Sequence, residues 1–172
     1  MENTMKKKEM LMKKVLAFVL VLVMTMGIIP ASTVHAKIDG YRFKYNGVTI
    51  TMGSKAKKFI NAAGTPKSTS KSSSCSYDGY DITRKYSDFI LYTYTNSKSS
   101  GAAEYVSGIT FLTKNVTVKG YGIKIGSKEK KVKKKLGNQT PVYGIYTYTK
   151  GQTKLQIEVK DKKVKNIRYL KI

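Results

Sequence analysis

Large apolar residues alternate with basic residues, and then with threonine, in two short runs at the start of the patterned part of the chain. One run covers residues 41–45 and a second covers residues 48–52. Asn46 and Gly47 separate the two runs, and both residue types tolerate the positive φ of a type I′ turn. The pattern therefore predicts a β-hairpin.

A helical spacing follows this hairpin. Apolar residues stand there at i, i+3, i+4 and i+7, namely Ala56, Phe59, Ile60 and Ala63. Ser54 precedes them and has a hydroxyl that can cap a helix, and Gly64 follows them and can end one. The sequence predicts a short amphipathic helix of about ten residues.

Strand patterns occupy most of the remaining chain. Residues 67–76 are rich in Ser and Lys without apolar periodicity, which predicts a mobile loop. Runs of β-forming residues predict strands at 77–86, 88–95 and 105–113. A second hairpin (116–125), a second helix between Ser127 and Gly137, and strands at 143–149, 154–160 and 163–172, the last irregular near Asn166, complete the predicted order.

This order of elements occurs twice. Residues 43–64 and 116–137 align without a gap and share Gly-Ser-Lys and the closing glycine. Such self-similarity indicates a tandem duplication. We predict an α+β fold with repeat 1 at 37–113 and repeat 2 at 114–172. Each repeat would hold a β-hairpin or short strand pair, one short amphipathic helix and a three-stranded antiparallel meander.

The same features resemble a known family. A short strand ending in Gly-Ser-Lys, a helix ending in glycine and three closing strands look like the tandem repeats of β-lactamase-inhibitor-protein-like folds. They are also similar to the single-copy module of the small outer-membrane assembly lipoproteins. The resemblance covers most of the chain after residue 36. It implies a concave sheet, formed by the two repeats, that grips a partner protein, and it carries over no functional residue.

The first 36 residues have the pattern of a secretory signal. Lysines between positions 6 and 14 precede an uncharged apolar run at 15–29, and Val34-His35-Ala36 supplies a cleavage site. Fifteen apolar residues fall short of the ~20 that a spanning helix needs. We expect removal of residues 1–36, no transmembrane span afterwards, and a secreted or envelope-associated protein of a Gram-positive bacterium.

The composition argues against catalysis. Removal of the signal takes away His35, the only histidine, and leaves Cys75 as the only cysteine. Nucleophilic catalysis and metal sites built on His and Cys therefore lack their groups. We predict that the protein is not an enzyme, that it uses no metal or cofactor, and that Cys75 is a bystander thiol in a flexible run.

The charge balance and the tyrosines indicate two candidate surfaces. The chain carries 33 Lys and Arg against 10 Asp and Glu, and loss of five Lys and two Glu with the signal leaves 28 against 8, a net charge of +20. The candidate anion-binding residues belong to the helix at 128–136: Lys128, Lys130, Lys131, Lys133, Lys134 and Lys135. The candidate partner-binding residues stand at i, i+2 in two strands: Tyr92, Tyr94, Tyr146 and Tyr148.

These surfaces support two functional hypotheses. In the first, a secreted, non-enzymatic module binds an extracellular protein through a tyrosine-lined sheet, as a docking module or as an inhibitor. In the second, the lysine-rich helix binds an envelope polyanion, either a wall polymer or anionic lipid. The alternatives are a solvated helix face, ordinary cross-strand tyrosine pairs, and a structural envelope repeat without a ligand. Sequence-specific nucleic-acid binding is not expected, because Arg is scarce and no module signature is present.

Overall fold

The computed structural model describes residues 40–172, so the predicted signal segment lies outside the described residues. Within this range the chain forms ten strands and two helices. The strands are β1 (Phe43–Tyr45), β2 (Val48–Ile50), β3 (Ser68–Ser73), β4 (Tyr80–Lys85), β5 (Phe89–Thr95), β6 (Glu104–Phe111), β7 (Thr117–Val118), β8 (Ile145–Lys150), β9 (Thr153–Lys160) and β10 (Lys163–Lys171). The helices are α1 (Lys57–Ala63) and α2 (Glu129–Leu136).

The strands form two antiparallel sheets, and the larger one contains strands from both halves of the chain. Its order is β3-β4-β5-β6-β10-β9-β8, and the small sheet has the order β2-β1-β7. The predicted α+β fold with two separate meanders is therefore wrong: the fold is mostly β. The meanders join because β6 pairs with β10, for example Ile109 with Tyr169. This pairing removes one exposed edge from each meander.

The core lies on one face of the seven-stranded sheet. Phe43 of β1 stands at its centre, and its ring centroid is 5.4 Å from Phe59 of α1, 6.3 Å from Phe111 of β6 and 6.1 Å from Tyr169 of β10. α2 contributes Val132, which is fully buried. The helices and the small sheet therefore share one hydrophobic core with both halves of the large sheet.

The two halves make matching contacts in front of their helices. The backbone N–H of Val106 donates to Ser54 O at 3.0 Å, and that of Val164 donates to Ser127 O at 2.9 Å. The backbone of Lys55 forms an antiparallel β-bridge with Tyr105 in β6, and the backbone of Lys128 forms the same kind of bridge with Lys163 in β10. These contacts favour the duplication, which stays a prediction.

The predicted serine caps are wrong. α1 and α2 begin at Lys57 and Glu129 with no side-chain cap. Ser54 Oγ instead donates to Thr51 O at 2.7 Å, and Ser127 Oγ accepts from the Lys124 N–H at 3.0 Å. Both hydroxyls stabilise the turn ahead of the helix, where loop N–H and C=O groups also need partners.

Glycines end both helices as predicted. Gly64 has φ 75° and Gly137 has φ 100°. The Asn46–Gly47 turn of the first hairpin is also confirmed, with φ values of 44° and 79°. The irregularity near Asn166 is confirmed as a register shift between Val164 and Asn166.

Two other predictions fail at sheet edges. Residues 68–73 form β3, paired along its full length with β4, rather than a mobile loop. All six side chains are exposed, so no apolar alternation could reveal the strand. The second hairpin shrinks to β7, which pairs with β1, and to a bridge between Val118 and Ile123.

Replacing the central aromatic ring should destabilise the fold strongly. Phe43→Ala removes a ring that is 1% exposed and is expected to cost about 3–5 kcal/mol of unfolding free energy, because a cavity remains among three aromatic neighbours. Urea unfolding followed by circular dichroism measures the loss. Leu112→Ala is the control, since Leu112 is 41% exposed and should cost no more than ~0.5 kcal/mol. Equal losses in the two variants would contradict this description of the core.

Candidate functional site

Helix α2 exposes its lysines because only one side of it reaches the core. Val132 is fully buried and Leu136 packs partly against the core. The six predicted anion-binding lysines stay at the surface: Lys128, Lys130, Lys131, Lys134 and Lys135 are exposed, and Lys133 is half-buried. Lys128 stands immediately before the first helical residue, in an extended conformation.

The only acid of α2 is already engaged. Lys133 Nζ lies 3.0 Å from Glu129 Oε1 in an i, i+4 pair, and the hydroxyl of Tyr146 donates to the same oxygen. The Tyr146 hydrogen bond, and after it the Lys133 contact, lowers the pKa of Glu129. The carboxylate in turn raises the pKa of Lys133. Glu129 is therefore an internal counter-ion for Lys133.

The turn between β9 and β10 brings further lysines to this helix. Asp161 and Lys162 have φ values of 55° and 57°, which form a type I′ turn. The N–H of Glu129 donates to Lys162 O at 2.9 Å, and the backbones of Lys128 and Lys163 form an isolated antiparallel β-bridge. The start of α2 and the β9–β10 turn are thus fixed side by side.

A cleft of about 540 Å³ lies between these elements, and we name it the lysine cleft. It is lined by Lys128, Glu129, Lys130, Lys133, Asp161, Lys162 and Lys163. Besides Glu129 its only acid is Asp161, whose side chain is 73% exposed and lies 3.7 Å from Lys165 outside the cleft. Within residues 40–172, Lys128, Lys130, Lys162 and Lys163 form no ion pair.

Lys162 and Lys163 were not among the site residues predicted from the sequence. They stand more than 25 positions after the helix lysines, where the two strands predicted at 154–160 and 163–172 meet. They could have been found from a pairing that occurs in both halves, in which the segment before each helix pairs with the last strand of its own half, β6 or β10. In the second half this pairing places the β9–β10 turn beside α2. The cleft therefore combines predicted lysines with lysines that only the topology brings close.

The two tyrosine pairs lie on opposite faces of the large sheet. Tyr148 pairs with Leu155 and Tyr146 pairs with Ile157, and these partners point into the core. Tyr146 and Tyr148 are 1% and 3% exposed, and the Tyr148 hydroxyl donates to Gly137 O at 3.0 Å. Tyr146 and Tyr148 therefore do not form part of an exposed tyrosine-lined surface, because α2 covers β8.

The other pair lies on the face away from the core. Tyr94 is buried and stacks on Tyr77, with ring centroids 4.1 Å apart. Burial, with a contribution from Tyr77, raises the pKa of Tyr94 to about 12. Tyr92 is half-buried and lies against Leu170 over Gly108, where a Cβ would be 3.1–3.2 Å from both side chains. Tyr92 alone of the four retains substantial exposure.

Other candidate chemistry is sparse in the part of the chain that the structure describes. No three His, Cys, Asp or Glu side chains come together there as a metal site. Cys75 is exposed and forms no disulfide. Neither α1 nor α2 has the length and apolar character to cross a membrane.

Comparisons of the chain with protein-family models, with curated proteins and with solved structures found no match. The resemblance to inhibitor-like tandem repeats therefore stays an expectation.

Removing the Tyr146 hydroxyl should raise the pKa of Glu129. In Tyr146→Phe the carboxylate loses its strongest hydrogen bond, so its pKa moves towards the ordinary glutamate value, as a carbon-detected NMR titration can measure. The pKa of Glu129 is lower in the folded protein than in the unfolded chain. This hydrogen bond therefore stabilises the fold at pH values above the pKa of the unfolded chain. That contribution is lost as the pH falls through the folded pKa.

Tyr148→Phe is the matched control for this titration. Its hydroxyl donates to Gly137 O and not to Glu129, so the pKa of Glu129 should not move. An unchanged Glu129 pKa in Tyr146→Phe would show that the hydroxyl does not set it.

Proposed function

We propose that the protein is a secreted, non-enzymatic binding protein that holds a phosphate-rich polyanion of the cell envelope at the lysine cleft and along α2. The observation that carries this proposal is the convergence of five lysines from two elements around one cleft, with Glu129 already occupied. Ammonium groups held close together repel one another, and a bound anion relieves that repulsion.

The distribution of charge supports a dedicated surface. α1 carries Lys57 and Lys58 and no acid, and α2 carries one acid beside five lysines. Both helices cover the same face of the large sheet, so their seven lysines lie on the helix side of the molecule. A charge as large as that of the whole chain exceeds what solubility alone requires.

The type of basic residue fits a polymer better than a single shaped ligand. Lysine acts as a mobile point charge, whereas arginine provides the planar bidentate geometry that selects one phosphate or carboxylate arrangement. The cleft is lined by lysines and by no arginine. It is suited to repeated phosphates whose exact spacing varies.

The protein-partner hypothesis has less support. Tyr94, Tyr146 and Tyr148 are buried, and the last two use their hydroxyls inside the molecule. Tyr92 beside Leu170 is what remains for a docking surface on the open sheet face. A single half-buried tyrosine is a smaller anchor than the two exposed pairs that this hypothesis needs.

Reversing cleft charges should weaken polyanion binding. In a triple variant, Lys130→Glu, Lys162→Glu and Lys163→Glu, each reversal is expected to cost about 1 kcal/mol, and together they should weaken binding to long-chain inorganic polyphosphate about a hundred-fold. The wild-type affinity should also fall steeply with salt, because exposed charges are screened over ~8 Å at physiological ionic strength. Fluorescence anisotropy of labelled polyphosphate across a salt series measures both effects.

A second triple variant separates location from net charge. Lys67→Glu, Lys85→Glu and Lys98→Glu change the charge by the same amount at exposed positions away from the cleft. They should weaken binding much less, and Tyr92→Ala should leave it unchanged. Equal losses in the two lysine variants would show that only net charge matters and would reject the lysine cleft as a site.

A further inference from the structure

An apolar turn projects from the start of β8. Val142 is 66% exposed, Tyr143 is 98% exposed and Ile145 is 36% exposed. We name these three residues the apolar tip. Single exposed apolar residues are common on protein surfaces, but three within one four-residue turn form a local patch that indicates a contact.

The conformation of Tyr143 makes this patch more unusual. Tyr143 and Gly144 have φ values of 50° and 77°, and the turn is closed by hydrogen bonds in both directions between Val142 and Ile145, at 3.1 and 2.9 Å. Asn, Asp or Gly is preferred at the first of these two positions, and a bulky residue with positive φ is strained. Tyr143 also gains no burial, so the described fold offers it no compensation.

The apolar tip lies at the same end of the sheet as the lysine cleft. The Val159 N–H donates to Gly144 O at 2.8 Å, and Ile145 pairs with Glu158. The β9–β10 turn, which supplies lysines to the cleft, follows within three residues of Glu158. β8 also contacts the start of α2, through the Tyr146 hydroxyl and Glu129.

We infer that this end of the molecule docks on an anionic phospholipid bilayer. The lysine cleft binds headgroup phosphates, while the apolar tip enters the interfacial layer. The inference rests on the proposed anion binding and specifies its ligand. A soluble phosphate polymer has no apolar layer for Val142 and Tyr143, whereas a bilayer offers negative charge and an interface in which tyrosine is favoured. Stable peripheral attachment generally needs two such signals.

A tryptophan at the tip reports insertion directly, because the chain contains no tryptophan of its own. In Tyr143→Trp, emission should shift to the blue with vesicles of phosphatidylglycerol and phosphatidylcholine, and brominated lipids should quench it. Vesicles of phosphatidylcholine alone should produce neither effect. Ile172→Trp is the control: Ile172 is 65% exposed and follows β10 at the opposite end of the sheet, so its emission should not shift.

A polar tip separates the two parts of the mechanism. The double variant Val142→Ser, Tyr143→Ser should bind phosphatidylglycerol vesicles about ten-fold more weakly in a sedimentation assay, because it loses apolar contact area. Its affinity for inorganic polyphosphate should equal that of the wild type. The Lys130, Lys162 and Lys163 charge-reversal variant should lose binding to both probes.

The measurements distinguish failure of the bilayer inference from failure of the proposed anion binding. A wild-type protein that binds polyphosphate but not anionic vesicles would overturn the bilayer inference and leave the anion site standing. Unshifted tryptophan emission from vesicle-bound Tyr143→Trp, or a polar-tip variant that binds vesicles as the wild type does, would have the same meaning. Undiminished polyphosphate binding by the charge-reversal variant would instead reject the proposed function itself.

Discussion

Burial of one face of the seven-stranded sheet is the constraint on which the rest of the structure depends. That face is apolar across the boundary between the two halves, and it is covered by two short helices and a three-stranded sheet. Phe43 lies where the small sheet, α1 and the β6–β10 boundary meet, in contact with Phe59, Phe111 and Tyr169. Without the cover from β1 and the helices, the joined sheet would expose its apolar rows to water.

The same constraint determines where the charge goes. A helix of eight residues that inserts one buried and one partly buried side chain into the core leaves most of its other positions in solvent. In α2 those positions are almost all lysine. The pairing of the pre-helix segment with β10 then fixes the β9–β10 turn beside the helix, so Lys162 and Lys163 face the same cleft. The basic site is a consequence of covering the sheet in this way.

Some local patterns predicted local structure. The Asn46–Gly47 turn, the apolar face that α1 packs on the core and the glycines that end both helices each depend on residues within a few positions of one another, and each is confirmed. The fold class failed because the β6–β10 pairing joins residues more than fifty positions apart. Alternation along a strand predicts that it has two faces but does not predict its neighbour.

The candidate site was likewise predictable only where it depends on local sequence. The exposure of the α2 lysines followed from helical spacing, whereas the fate of the tyrosines did not. Tyr92 and Tyr146 stand at equivalent places in the same Tyr-Thr-Tyr-Thr sequence, yet the register sends Tyr92 to the open face and Tyr146 beneath α2. The register of a strand is fixed by the whole set of paired strands. The i, i+2 spacing of two tyrosines therefore could not reveal which face of the sheet each tyrosine pair occupies.

Strand β3 has a consequence for the behaviour of the protein in solution. It forms one edge of the large sheet over six residues, and its sequence of serines, one threonine and one lysine offers no apolar side chain on either face. A strand from another molecule that added to this edge would gain backbone hydrogen bonds but no dry side-chain interface. The polar edge thus limits open-ended growth of the sheet and favours a discrete particle over fibrils.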